Sequence, residues 1–146
     1  MPIPRRKKIP TTYVALAEFR HRVREFLAFS EEAAHAVGLH PQQHQMMLAI
    51  AGAPPGQATS VAYVAERLGV KHNSAVELAD RCVAEGLLRR TADRQDGRKI
   101  LLTIAPLGAR KLQRLTQWHK KELDVLAPQL ITSLRAISIP RAKAAR

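Results

Sequence analysis

The sequence is poor in cysteine, in aromatic residues and in acid. Its single cysteine, Cys82, excludes an internal disulfide and fits a reducing compartment. Six aromatic side chains in 146 residues are too few for a surface that grips RNA by stacking on successive bases. No apolar run approaches the ~20 residues needed to cross a bilayer. The best, Met46 to Ala51, is soon followed by Gly52, Pro54 and Pro55. No apolar stretch stands behind Arg5, Arg6, Lys7 and Lys8, so a secretory leader is not expected. Also missing are the Gly-x-x-x-x-Gly-Lys phosphate loop, the Gly-x-Gly-x-x-Gly turn, the Gly-x-Ser-x-Gly elbow and the His-Glu-x-x-His zinc pair. The expectation is a cytoplasmic protein without enzymatic activity, cofactor, bound metal or membrane partner.

What is abundant is positive charge. Twenty-four Lys and Arg stand against 12 Asp and Glu, a net charge of +12. Such an excess favours a polyanion, because each neutralised phosphate releases condensed counterions. Double-stranded DNA is the leading candidate. The charge is uneven: residues 1–40 carry +3, 41–104 carry +2 and 105–146 carry +7. Charge alone does not single out the middle segment, whose case rests on pattern.

Apolar periodicity predicts a mainly α protein with a small β-wing. Leu16, Phe19, Val23, Phe26, Ser30, Ala33 and Val37 recur at three- and four-residue steps along a helix from Thr11 to Val37. A helix that long in so small a chain has more stripe than its own chain can cover, which invites a second copy. Gly38 ends it, Pro41 opens the next, and Met46, Met47 and Ile50 face inward. Val61, Val64, Ala65 and Leu68 form a third helix stopped by Gly69; Ala75, Ala79, Cys82 and Val83 form a fourth ending at Gly86. Two short helices joined by a tight glycine turn are a helix-turn-helix signature. Leu87–Thr91 and Lys99–Ile104 then read as strands of a hairpin with Asp-Gly near its tip, a wing. Pro106 opens a long helix, Pro128 is expected to interrupt it, and Gln129–Ile137 to form a last short one.

The segments VAERLGVKHNSAVELADRCVAEGLLRR and DRQDGRKILLTIAPLG resemble the paired helices and wing of the MarR family of bacterial transcription regulators. Asp93, Asp96, Gly97, Arg98, Leu102, Thr103 and Gly108 stand at positions matching the family pattern. Two departures stand out. Arg94–Gln95 replaces the usual wing Pro-Arg, and Lys71 stands where a capping serine is common, so that Asn73 or Ser74 would cap the helix instead.

The resemblance implies a homodimeric winged helix-turn-helix regulator on a pseudo-palindromic operator, a repressor released by a small aromatic or anionic effector. Residues 1–40 would form an N-terminal arm and dimerisation helix, 41–105 the DNA-binding domain, and 106–146 the C-terminal dimerisation helices and basic tail. Candidate DNA-binding residues are Lys71, His72, Asn73, Ser74, Val76, Glu77, Arg81, Arg94 and Arg98. Asn73 can pair with adenine, His72 can donate to guanine or phosphate, Glu77 can accept from cytosine, and Arg81 can clamp backbone. Asp93 and Arg98 are also expected to brace the hairpin through an ion pair. An effector pocket, where the dimerisation helices meet the winged domain, would draw on Phe19, Arg20, His44, Met47 and Trp118. Cys82, on the apolar face of the fourth helix, reads as core rather than as a redox switch. Two other functions fit the composition: a basic architectural or RNA-associated module without operator choice, and a protein-binding scaffold that has lost DNA.

Overall fold

A computed structural model describes residues 8–138. The chain runs α1 (Thr11–Ala36), α2 (Pro41–Ala51), α3 (Val61–Leu68), α4 (His72–Ala84), β1 (Leu88–Ala92), β2 (Ile100–Ile104) and α5 (Pro106–Ile137). It divides into two compact units. One spans residues 30–118; the other, among the described residues, joins 8–29 to 119–138.

The winged unit is organised around α2, which packs against α3, α4 and β2. Met46, Met47 and Ile50 of α2, Val64 and Ala65 of α3, and Ala75, Leu78, Ala79 and Cys82 of α4 are buried together with Leu87, Leu88, Leu102 and Leu115. The α3–α4 turn is tight because Gly69 takes a left-handed conformation, φ 66°, that a side chain would resist. Its geometry lets Val70 N donate to Ala65 O at 3.1 Å, satisfying a carbonyl at the end of α3. Gly86, φ 73°, ends α4 the same way, with Leu87 N donating to Cys82 O at 2.9 Å.

β1 and β2 are antiparallel, with Leu88 opposite Ile104 at the base and Ala92 opposite Ile100 next to the turn. A third segment joins them: Leu102 N donates to Thr59 O at 2.9 Å, and Thr59 Oγ1 donates to Leu102 O at 2.7 Å. These two bonds tie the start of α3 to the hairpin. The next residue caps α3: Ser60 Oγ accepts from Tyr63 N at 3.2 Å. Ser60→Ala should therefore cost about 1 kcal/mol, read as a lower urea midpoint with an unchanged slope. A change in slope would mean that more than the cap was lost.

In the terminal unit, Phe26 and Phe29 meet the His119 ring edge-on, with ring centres 5.8 and 5.3 Å away. Along its exposed side Arg22 pairs with Glu18 and Glu25, both at 2.8 Å, and that hydrogen bond holds the Glu25 carboxyl below its ordinary range. At the start of α1 Ala15 rather than Leu16 is buried, while the rest of the expected stripe holds its place, with Ser30 and Ala33 buried and Phe19, Val23, Phe26 and Val37 half-buried. Tyr13, Val14, Leu16 and Leu27 of α1 and Leu123, Val125, Ile131 and Leu134 of α5 are exposed.

The largest correction concerns α5. It is one helix of 32 residues, with Pro128 inside it rather than between two helices. Proline removes one backbone donor, yet its fixed φ suits a helix. The apolar series Leu123, Leu126 and Leu130 continues through it with Leu126 buried, and Thr132 Oγ1 donates to Pro128 O at 2.8 Å. Packing on both sides of residue 128 outweighs the single missing bond. The basic tail, residues 140–146, lies outside the described residues.

Candidate nucleic-acid interface

Helix α4 has two faces. Ala75, Leu78, Ala79 and Cys82 are buried, while His72, Asn73, Ser74, Glu77, Asp80 and Arg81 are exposed. Asn73, Glu77, Asp80 and Ala84 follow one another at three- and four-residue steps, with Ser74 and Arg81 beside them on the same side. This side is polar, free of bulky apolar groups and of mixed sign. Val76 lies at its edge, half-buried. Lys71 occupies the cap position without a side-chain cap bond, so neither Asn73 nor Ser74 moves the helix start. Both are left in the first turn with their side chains outward.

The hairpin turn carries the second group. Asp93 N donates to Lys99 O and Lys99 N to Asp96 O, both at 2.9 Å, closing the loop on itself. The two carboxylates turn back on their own backbone: Asp93 Oδ1 accepts from Gln95 N at 3.0 Å and Asp96 Oδ1 from Arg98 N at 3.1 Å. The expected Asp93–Arg98 ion pair does not form, because a short acidic side chain finds a backbone donor two residues on before it reaches a guanidinium. Arg94, Arg98 and Lys99 are exposed, and none of them is held by a carboxylate among the described residues. The turn thus presents cations and keeps its acids to itself.

A tie between the two groups was not legible in the spacing. Asp80 of α4 forms an ion pair with Arg90 of β1, ten residues on. It joins the outward face of the helix to the hairpin, and Glu77 on that face forms no ion pair among the described residues. At the far end of α4, Glu85 Oε2 accepts from Gln43 Nε2 at 2.7 Å, while Gln43 Oε1 accepts from His40 N. Gln43 is buried, and it anchors the end of α4 to the start of α2.

The residues expected to line an effector pocket are placed differently from one another. His44 and Met47 are buried in the core of the winged unit, and Trp118 is half-buried with the Arg114 guanidinium 5.0 Å from its ring centre. Phe19 is half-buried and Arg20 exposed, both on the α1 part of the terminal unit. Cys82 is fully enclosed, and burial pushes its thiol up to about 11. No group of three or more His, Cys, Asp or Glu gathers among the described residues as metal ligands would. No helix among them is long and apolar enough to cross a membrane.

Comparison with known proteins agrees with this architecture. Residues 37–99 match the sequence model of the MarR family. No curated protein sequence matches the chain. Among solved structures, AbsC, a MarR family transcriptional regulator from Streptomyces coelicolor, is similar at 17% identity, with a TM-score of 0.67 over 89% of this chain and 90% of that one. CouR from Rhodococcus jostii, bound to p-coumaroyl-CoA, has 20% identity and a TM-score of 0.60 over 81% and 87% of the two chains. A MarR variant from E. coli complexed with operator DNA has 16% identity and a TM-score of 0.61 over 80% and 84%. The fold is that of the MarR winged-helix regulators, and residues 37–99 of the chain are similar in sequence to that family.

Proposed function

We propose that this chain, a MarR-family sequence over residues 37–99, is a sequence-specific DNA-binding transcriptional regulator, a repressor that acts as a homodimer. The observation that carries this reading is the pairing of an outward polar face on α4 with a hairpin turn whose arginines are exposed and whose acids are internally bonded. A helix of that composition fits the major groove, where Asn73 and His72 can meet base edges and Glu77 a cytosine amino group. Lys71, Ser74 and Arg81 then contact backbone, Val76 packs at the edge of the groove, and Arg94 and Arg98 reach the flanking phosphates or minor groove.

The homodimer is supported by the apolar side chains exposed on α1 and α5, Tyr13, Leu16, Val125 and Ile131 among them. Residues 1–40 and 106–146 supply the dimerisation helices, and 41–105 the reading head. Two heads would read half-sites about one helical turn, ~34–36 Å, apart. A small effector that binds better to a form unable to span that distance would release the operator.

The test is selection from a random duplex pool at two salt concentrations, with sequencing of the bound fraction. A two-fold symmetric motif that persists at the higher salt is the expected result. Affinity that collapses with salt and selects nothing would leave only the net charge at work. Two variants refine the assignment. Arg81→Ala should weaken binding to every sequence and lower the salt slope by about 1 per protomer. Asn73→Ala should lose about 1–3 kcal/mol of discrimination at one base position. If both variants weaken all sequences alike, Asn73 does not read a base.

A further inference from the structure

The excess of positive charge does not lie where the proposed reading head does. Residues 41–104 carry +2 of the net +12, and residues 105–146 carry +7. Part of that charge is built into α5, which has no Asp or Glu from Pro106 to Lys121. Within the winged unit the first turns of this helix have two opposite faces. Gly108, Leu112 and Leu115 are buried, while Arg110, Gln113, Arg114 and Gln117 project from the other side at three- and four-residue steps. All four are exposed, and none of their side chains forms an ion pair or hydrogen bond among the described residues. Arg114 is held without being neutralised: its guanidinium stands 5.0 Å from the centre of the Trp118 ring, a contact that leaves the charge in place. Arg89 of β1 borders the same stretch of surface as Arg110. Uncommitted guanidinium groups keep their donors for an outside acceptor, and phosphate oxygens fit them well.

The face selects its partner by what it lacks. The apolar side of these turns is spent in the core, so it has nothing to sink into a bilayer. Trp118, half-buried and covered by Arg114, gives successive bases of a single strand no stacking platform. The exposed large apolar residues of α5 start at Leu123, which leaves no anchor for a second protein on this stretch. What remains suits a regular row of phosphates. From Arg110 to Gln117 the helix rises about 10 Å, the axial length of about three phosphates on one strand of a duplex. The face also lies apart from the proposed reading edge. Helix α5 starts at the base of the hairpin, where Ala105 N donates to Leu87 O, and the turn lies about 13 Å further along β1.

We propose that the Arg110–Gln117 face of α5 is a second DNA-binding surface, which holds the phosphate backbone of a separate duplex segment without regard to sequence. With the reading head and this face both occupied, the protein bridges two stretches of DNA. The inference goes beyond the operator reading and stands without it, because a chain that selects no motif can still hold backbone here.

The experiment loads the full chain onto a bead-bound short duplex, then offers a second, fluorescent duplex. The native chain should capture the second duplex. The double variant Arg110→Gln, Arg114→Gln, checked by an unchanged melting curve, should load the bead as before and capture at least about fivefold less. Adding the two glutamines to an Arg81→Ala, Arg94→Ala chain should lower the salt slope of its duplex binding by about 2 per protomer. Undiminished capture by the glutamine variant would overturn the proposal. Loss of bead loading in that variant would place the face in the first DNA contact and overturn a separate surface. Phosphatidylglycerol vesicles or single-stranded RNA that displace the fluorescent duplex more readily than unlabelled duplex does would overturn DNA as the partner. Capture that persists although a random pool yields no motif supports the α5 face and counts against the operator reading alone.

Discussion

A single methyl group placed on Gly108 should lower the stability of the winged unit by about 2–3 kcal/mol, the range of an overpacked core. Elsewhere in a helix, replacing glycine by alanine gains about 0.5–1 kcal/mol; here the sign should reverse. Gly108 lies buried in the first turn of α5, where a Cβ would overlap the Leu87 carbonyl oxygen and stand 3.0 Å from its carbon and 3.1 Å from the Met47 sulfur. The carbonyl is not free to swing aside, because it accepts from Ala105 N at 3.0 Å. Met47 is itself fully enclosed. For a unit of this size, the loss corresponds to a fall in Tm of roughly 10–20 °C for Gly108→Ala. An unchanged or higher Tm would show that the start of α5 slides off Leu87 at little cost.

Cys82 should be inert in the folded protein and should make stability fall at high pH. Its side chain is fully enclosed, and its thiol is pushed up to about 11, first by burial and then by the nearby Glu85 carboxylate. An exposed cysteine titrates near ~8.5. The folded state therefore holds the thiol proton more tightly than the unfolded state does. Its contribution is complete below ~8.5 and is lost as pH rises toward the folded value, by up to about 3 kcal/mol. Denaturant melts of the native chain and of Cys82→Ala across that window should diverge, with the native chain losing more. Parallel curves would show that the thiolate is accommodated where it sits. Labelling by a thiol reagent at pH 8 should run at least about 10³-fold slower than in denaturant and should track opening of the fold. Fast labelling under native conditions would mean that α4 opens locally.

The helix-turn-helix was legible because its punctuation is chemical. Gly69 and Gly86 fall where the chain turns left-handed, and Ser60 caps α3 where a polar residue precedes the apolar pattern. The hairpin was legible from two apolar runs around Asp-Gly. Less visible were features made by partners distant in sequence. Leu78 completes the buried face of α4, which the spacing of Ala75, Ala79, Cys82 and Val83 did not include, and Val83 is only half-buried. Thr59 joins the sheet through bonds to Leu102, 43 residues away, which no local pattern signals. Gln43 reads as surface from its side chain alone, and it is buried because Glu85 and His40 complete its hydrogen bonds. Pro128 misled for the opposite reason: a strong local signal was overruled by packing on either side of it.

For the candidate site, helical spacing found the outward face of α4. It could not foresee that Asp80 would be spoken for by Arg90, or that Asp93 and Asp96 would fold back on the turn. Those local bonds decide which charges remain available to a polyanion.

The chain passes between its two compact units at residues 29–30 and again at 118–119, both inside regular helices, α1 and α5. There is no seam at which to cut. A graft carrying only α2 through β2 onto another scaffold would leave behind Ala33, Ala34, Leu112 and Leu115, buried members of its own core. Exchange of reading heads between relatives must therefore carry the ends of both long helices along, so recombination should succeed at matched positions within them and fail at the loops, where a sequence alone would place the joints.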